Sequence, residues 1–536
     1  MTFRALSALP RLAWCAELTP DGDIFVEHGP WVETGDDFFA EGAWDAPFED
    51  GAIDRAAVVL GSGGRVRNNE VIFCTTTHTM ERLQSVRVGD RLFLSNSFAY
   101  LLRATGDGLD VNYRYYERDF MTFLRGRRRA KRSVPTRLGR QVSVYYGERI
   151  IVGGDLAIRT EPFPPSPPFE SYEAYIAAVT ELVSRLHLNA NSPARAARYQ
   201  PLSTLSTGYD SPACTVIAKH IGCRDAITVT DARPDYNPYG RAPGDASDDG
   251  TQIARHLQIE LTAYRRSAYL DRDDYPEAEF IATGNGGDDV VLAAAESELA
   301  GRMLFTGFLG DTLWGLHPLD ADSSRNYVYQ YPAGGTLGEF RIRTGFIHVP
   351  IPLLTYASQP SLVRIARSGA MAPWRIGGDY DRPIPRRLVE SSGVPRAIYA
   401  TEKKAITQPF WLPVETADLR KMLSANSYDS LRAYAGSAAV MSALRLPGKL
   451  RTSLARLTPP RAARYANWYT SLLHKKLGIR LLPELRTDQF TQRALFASPA
   501  GLKFHWAVEK TGVRYDTTRH RLSNRSSTSQ SQAVIA

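Results

Sequence analysis

Between Leu202 and Thr230 the spacing of apolar positions changes twice. Leu202 to Leu205 is short and apolar enough for a buried parallel strand. Ala213, Val216, Ile217 and Ile221 then recur at helical spacing, and Gly222 ends the run. Ala226 to Thr230 (AITVT) reads as the next strand. The pattern predicts a βαβ unit whose first loop lies at the carboxyl end of its first strand, where open α/β sheets bind ligands. At the helix start, Ser211 is a good N-cap and Pro212 suits the first helical position. Further on, Met303-Leu304-Phe305 is strand-like and runs into a glycine-rich turn, Thr306 to Gly315.

The opening residues are patterned differently. Short β-like runs (Val71 to Thr75, Val86 to Leu94, Gln141 to Tyr146) are punctuated by glycines and Asp-Gly pairs. That predicts a mostly antiparallel, layered α+β domain over residues 1–160. Glu161 to Phe169 (EPFPPSPPF) marks the boundary, a Pro-rich linker over 161–170. A second, α/β domain then spans 171–515, and a Ser- and Gln-rich tail over 516–536 is expected to be disordered. Internal repeats are not evident.

Composition narrows the class. A chain of 536 residues suffices for two domains, and 43% hydrophobic with 23% charged residues is ordinary for a soluble globular protein. The net charge of +8 favours an anionic small ligand and does not by itself indicate nucleic acid. Cys15, Cys74, Cys214 and Cys223 lack metal-ligand spacing and suggest reduced thiols. No apolar run approaches the roughly 20 residues that cross a bilayer. Met1 to Trp14 is too interrupted for a signal peptide. A cytoplasmic protein with no membrane partner is expected.

Chemistry concentrates in Ser206-Thr207-Gly208-Tyr209-Asp210-Ser211. Hydroxyls, a glycine and a helix N-terminus offer donors to an anion. The Asp210 carboxylate would repel a bare phosphate, which points to a metal between them and to ATP chemistry at the pyrophosphate. An ordinary Ser/Gly turn fits the same letters.

The pattern S-x-G-x-D-S after a strand resembles the pyrophosphate loop of the N-type ATP pyrophosphatases. Within them it is most similar to the synthetase domain of asparagine synthetase, β-lactam synthetases and lasso-peptide cyclases. Thr207 stands where that family usually has a second glycine, which puts a side chain in a crowded place. Thr306-Gly307-Phe308-Leu309-Gly310-Asp311-Thr312 resembles the family's second signature, with Leu309 for a usual glycine and Thr312 for a usual acid. Lys403-Lys404-Ala405-Ile406-Thr407-Gln408-Pro409 resembles its K-x-G-F-x-x-P segment, and Pro350 to Leu354 its P-L-L stretch.

The resemblance implies a Rossmann-like parallel sheet with flanking helices. It implies ATP and Mg²⁺ as cofactors, with Ser206, Thr207, Gly208, Tyr209, Asp210 and Ser211 around the pyrophosphate. Leu205, Val229, Thr306 and Gly307 would contact adenosine, and Asp210 and Asp311 would hold Mg²⁺. Lys403 or Lys404 would be the catalytic lysine. The expected reaction joins a small-molecule carboxylate, activated as an acyl-adenylate, to ammonia or an amine. A non-catalytic nucleotide-binding scaffold is the alternative. A nucleic-acid-thiolating relative would want a reactive cysteine pair by the loop, whereas Cys214 and Cys223 fall on or just after a core helix.

In asparagine synthetases the preceding domain is a class II glutamine amidotransferase of the N-terminal-nucleophile type. Ser95 to Leu102 and Leu138-Gly139 lie in an order compatible with it. The family's nucleophile is a cysteine after Met1, and this chain has Thr2, so glutamine hydrolysis is not expected. Asp245 to Leu257 (DASDDGTQIARHL) resembles the family's acidic-then-helical segment. Asp248 and Asp249 fit the cleft or a plain helix N-terminus equally. Asn285-Gly286-Gly287-Asp288-Asp289 reads as a polar loop, and Arg125 to Arg132 as a solvated basic loop. Ser442 to Arg486, basic with interleaved aromatics, is expected to pack as helices on the second domain. A homodimer stays open.

Overall fold

The computed structural model describes residues 1–111, 113, 115–125, 130–232, 247–318, 334–378, 380–400, 404, 406–408, 410, 416–437 and 499–518. Among the described residues, eighteen strands form three sheets. Those of the first part are β1 (Thr2–Ala5), β2 (Trp14–Leu18), β3 (Ile24–His28), β4 (Glu33–Thr34), β5 (Phe38–Trp44), β6 (Val59–Arg67), β7 (Glu70–Cys74), β8 (Leu83–Val88), β9 (Arg91–Ser95), β10 (Ser133–Pro135), β11 (Gln141–Tyr145), β12 (Glu148–Val152) and β13 (Ile158–Pro162). They make a seven-stranded sheet, β1-β3-β2-β9-β8-β11-β10, and a six-stranded sheet, β13-β12-β7-β6-β5-β4. Every pairing is antiparallel except β1 with β3.

The two sheets share one apolar layer. Trp14, Val26, Leu83 and Leu94 of the first meet Phe39, Phe73, Ile150 and Val152 of the second. Helix Phe98–Ala104, capped by Ser97 accepting from the Tyr100 amide, covers the first sheet. Helix Tyr172–Ala190 covers the second, burying Tyr175, Val179 and Leu186 against Ala43 and Leu60. The run Val86 to Leu94, one β-like stretch by its pattern, is a hairpin. Gly89 turns at φ +62, and β8 pairs with β9 around it. The Pro-rich segment touches both parts: Phe163 is buried against Ala40, Trp44 and Val59 of the second sheet, while Phe169 is buried on the second part, its amide donating to Ser361 Oγ at 3.1 Å.

The second part holds β14 (Gln200–Thr204), β15 (Asp225–Val229), β16 (Glu260–Tyr264), β17 (Arg302–Thr306) and β18 (Ile347–Pro350). All five are parallel, in the order β16-β15-β14-β17-β18. The chain builds outward from β14 one way and then returns to add β17 and β18 on the other side. The order therefore reverses between β14 and β17, the place where such sheets open a crevice at their carboxyl ends. A parallel sheet must be covered on both faces. Met303, Phe305, Ile347 and Val349 face helices Asp210–Lys219, Gln359–Arg367 and Pro383–Ser391. Leu202, Ile227, Val229 and Leu304 face the first part and helices Pro276–Ile281 and Pro499–Gly512.

A buried ionic knot ties the two parts together. Arg341, on helix Gly338–Thr344, grips Glu41 of β5 through both nitrogens (2.7 and 2.9 Å) and reaches Glu81 at 2.7 Å. Glu41 also accepts from Ser62 (2.7 Å) and Asn96 (3.3 Å).

Candidate nucleotide site

The first loop leaves β14 at Leu205, whose amide still donates to Ile227 O (2.9 Å). Helix Asp210–Lys219 begins one residue before the predicted cap: Tyr209 is its N-cap residue and Pro212 lies inside its first turn. Pro tolerates that place because first-turn amides have no intrahelical acceptor. The loop is tied internally. Ser206 Oγ accepts from the Gly208 amide (3.2 Å) and hydrogen-bonds Ser211 Oγ (2.9 Å). Thr207 is accommodated rather than crowded. Its amide and hydroxyl both donate to Asp248 Oδ1 at 3.0 and 2.6 Å, and its carbonyl accepts from the Ala400 amide at 2.6 Å.

Asp248 therefore braces the loop, while Asp249 accepts from the Thr251 amide (2.9 Å) at the start of helix Thr251–Leu257. The cleft and the helix N-terminus each take one of the two acids. Isolated bridges Ser206–Asp249 and Asp231–Ser247 lay this segment across the ends of β14 and β15. Gly250 sits close over Leu205: a methyl group there would come within 2.9 Å of Leu205 Cγ.

The second loop follows β17 and closes on the first. Methyl groups at Gly307 and Gly310 would stand 2.6 Å from Asp210 Cβ and 2.5 Å from Asp210 Cγ respectively. The backbone of this loop is thus moulded around the Asp210 side chain, and Asp311 is the next residue, in the short helix Gly310–Leu313. Leu309, where the resembled family has glycine, keeps the left-handed conformation that glycine favours, with φ +62. Its side chain is buried and repays part of that strain. Thr306 Oγ1 hydrogen-bonds His348 Nε2 (2.8 Å), and burial holds His348 far below its ordinary pKa and so neutral.

Among the described residues no three His, Cys, Asp or Glu side chains form a metal cage. A cation held by Asp210 and Asp311 would complete its shell from phosphate oxygens and water, as Mg²⁺ commonly does. The Asp210 carboxylate, the paired Ser206 and Ser211 hydroxyls, the helix N-terminus and the glycines packed on Asp210 are the groups that would hold Mg²⁺–ATP, with Asp311 one residue beyond Gly310.

Lys404 Nζ donates to Ser247 O, beside Asp248, which places it at the edge of the first loop. Lys403 lies outside the described residues, as do residues 126–129 of the basic run, all of Ser442 to Arg486 and the tail from Arg519. Of the basic run, Lys131 pairs with Asp119 (2.5 Å) and Arg132 with Glu148 (2.6 Å). Downstream of Lys404 the chain is pinned by Arg266, which donates to Ile406 O (3.1 Å) and Thr407 O (3.0 Å) and also binds Gln408.

Asn285 to Asp289 is a loop, as expected, but a buried one. Asp289 accepts from the Gly334 amide (2.8 Å) and the Thr336 hydroxyl (2.6 Å), partners remote in sequence, and Asp288 O accepts from the Gln408 amide (2.8 Å). Burial raises the Asp289 carboxyl to about 6.

The structure also adds residues that the pattern did not single out. Tyr209 OH donates to Tyr380 O (3.2 Å), and Arg386 donates to Tyr209 OH while packing over the rings of Tyr209 (4.9 Å) and Tyr399 (5.5 Å). The signal was present as a Pro-punctuated run of arginines, Asp381 to Arg387, within the segment that ends in the lysine pair. No protein-family model matches the chain, and none of the curated proteins matches it.

Proposed function

We propose that the protein is an ATP-dependent ligase that activates a carboxylate as its acyl-adenylate and passes the acyl group to ammonia or an amine. The observation that carries this reading is the second loop's glycine cradle around Asp210, at the point where the order of the parallel sheet reverses. On this reading the sheet is a Rossmann-like nucleotide fold. Asp210 and Asp311 would hold the cation, which would supply positive charge to offset that of the departing pyrophosphate. Ser206, Gly208 and Ser211 bind that pyrophosphate. Leu205, Val229, Thr306 and Gly307 line the adenosine side. Lys403 or Lys404 stabilises charge at the acyl carbon.

The first part is read as an amidotransferase-like module without glutaminase activity. Thr2 is exposed on the edge strand β1, and Arg341 fills the space beside Glu41. The nitrogen therefore comes from ammonia or from the substrate's own amine.

A non-catalytic nucleotide-binding scaffold is the second reading. In its favour, Asp248 and Ser206 occupy the Thr207 and Gly208 amides, leaving fewer donors for phosphate. Pyrophosphate exchange into ATP, measured over a panel of amino acids and other carboxylates, separates the two. Exchange lost in Asp210→Ala supports the ligase. ATP binding without exchange over the panel selects the scaffold.

A further inference from the structure

We propose that Tyr380 and Arg382 form a third wall of the pyrophosphate site and bind the leaving group directly. This inference rests on the nucleotide reading above. The two side chains project from a closed turn. Asp381, buried, accepts from the Ile376 amide (3.1 Å) and the Gly377 amide (2.9 Å). Arg382 then serves as the N-cap residue of helix Pro383–Ser391, its carbonyl accepting from the Arg386 amide at 3.1 Å. The turn is thus fixed at both ends, and it presents residues 380 and 382 toward different loops.

Tyr380 faces the first loop. Its ring packs on Tyr209 with centroids 4.8 Å apart, and its hydroxyl lies 3.5 Å from where a Cβ on Gly208 would stand. The hydroxyl hangs over the glycine of the S-T-G-Y-D-S stretch. Burial and the Asp210 charge raise its pKa above the ordinary phenol value, so it remains a donor. Arg382 faces the second loop. Its guanidinium carbon is 3.8 Å from the position a Cβ on Gly315 would take, on the turn that Asp311 begins, and 5.9 Å from the Tyr380 ring centroid. Arg382 Nη1 also donates to Asp381 O at 2.8 Å, which holds the guanidinium on the turn, and the neighbouring Arg386 binds Tyr209 OH and Glu390.

The chemistry needs such a wall. When the substrate carboxylate attacks the α-phosphorus, the bond from that phosphorus to the bridging oxygen breaks. Its electron pair leaves on the pyrophosphate. A guanidinium and a phenol donor accommodate that charge through hydrogen bonds with no proton transferred. Asp210 and Asp311 offset much of the cation's charge, so a further positive group at this end favours departure.

The test is calorimetric titration of the full chain with Mg²⁺–pyrophosphate, Mg²⁺–ATP and AMP, with the thermal midpoint recorded for each variant. Tyr380→Phe is expected to weaken pyrophosphate binding by about 10-fold and Arg382→Gln by about 100-fold. Arg382→Lys should recover part of that loss, while AMP affinity and thermal midpoints stay as in the wild type. Unchanged pyrophosphate affinity in Tyr380→Phe and Arg382→Gln overturns the wall but leaves the nucleotide reading standing. AMP and pyrophosphate weakened in parallel would show loop collapse and also overturn direct contact. A wild-type chain that binds neither ATP nor pyrophosphate overturns both.

Discussion

Both parts of the molecule bring backbone to close approach at glycines, but to different ends. In the paired antiparallel sheets, Gly42 of β5 faces Gly61 of β6, and a methyl on Gly61 would stand 2.0 Å from Glu41 O. There the missing side chain lets two strands and the ionic knot at Glu41 share one space. In the parallel sheet, Gly307 and Gly310 bring a loop onto the side chain of Asp210 at a sheet crevice. One region uses close approach to seal its interior. The other uses it to fold a loop around a carboxylate. That contrast supports the proposal of a nucleotide site in the second region and a supporting role for the first.

The largest expected effect falls on the sealed side. Arg341→Leu strands Glu41 and Glu81 in the interior, and denaturant unfolding should show a loss of about 3–5 kcal/mol. A loss below about 1 kcal/mol would mean that the knot is solvated and the first part open. On the other side, Gly310→Ala should lower Mg²⁺–ATP affinity by about 100-fold, because the added methyl competes with Asp210 for space, while unfolding changes by no more than about 1–2 kcal/mol. A variant with full ATP affinity would break the contrast.

His348 sharpens it through pH. The folded imidazole is held far below its ordinary pKa by burial, whereas the unfolded one takes up a proton near 6.5. Its contribution to stability is therefore complete above about pH 6.5 and falls away as pH drops below it. In His348→Gln the stability lost between pH 6.5 and 5 should shrink by up to about 1.4 kcal/mol per pH unit. The same slope in both proteins would place a proton on the folded imidazole.

The smallest effect separates strain from burial at one position. Leu309→Ala loses apolar contact and keeps a side chain at φ +62, while Leu309→Gly loses the contact and relieves the strain. The alanine variant should be less stable than the glycine variant by about 1 kcal/mol, measured by chemical denaturation. The reverse order would show that the loop adopts another backbone in solution.

Local patterning made much of this legible. The runs around Leu202, Ala226 and Met303 appear as β14, β15 and β17, because a short apolar run between turn signals is a local property. Loop partners are not local. Nothing in the letters of Asn285 to Asp289 shows that Gly334 and Thr336 will satisfy Asp289, so the burial of this polar loop was not legible. The same limit hid Tyr380 and Arg382, whose approach to the loops depends on how the helix Pro383–Ser391 docks. The hairpin within Val86 to Leu94 was present as Gly89-Asp90, a turn signal inside an apparently continuous run. Thr207 in a glycine's place gave no hint of its partner, since Asp248 reaches it only after β15 is laid down beside β14.

The central claim is that Asp210 and Asp311 serve one cation at one nucleotide. A double-mutant cycle on ATP affinity, with Asp210→Asn, Asp311→Asn and the pair, each with and without Mg²⁺, tests it most directly. The account predicts that each single change removes most of the Mg²⁺-dependent affinity and that the pair loses little more. Losses that add in full, or single variants that keep the wild-type Mg²⁺ dependence, would contradict it.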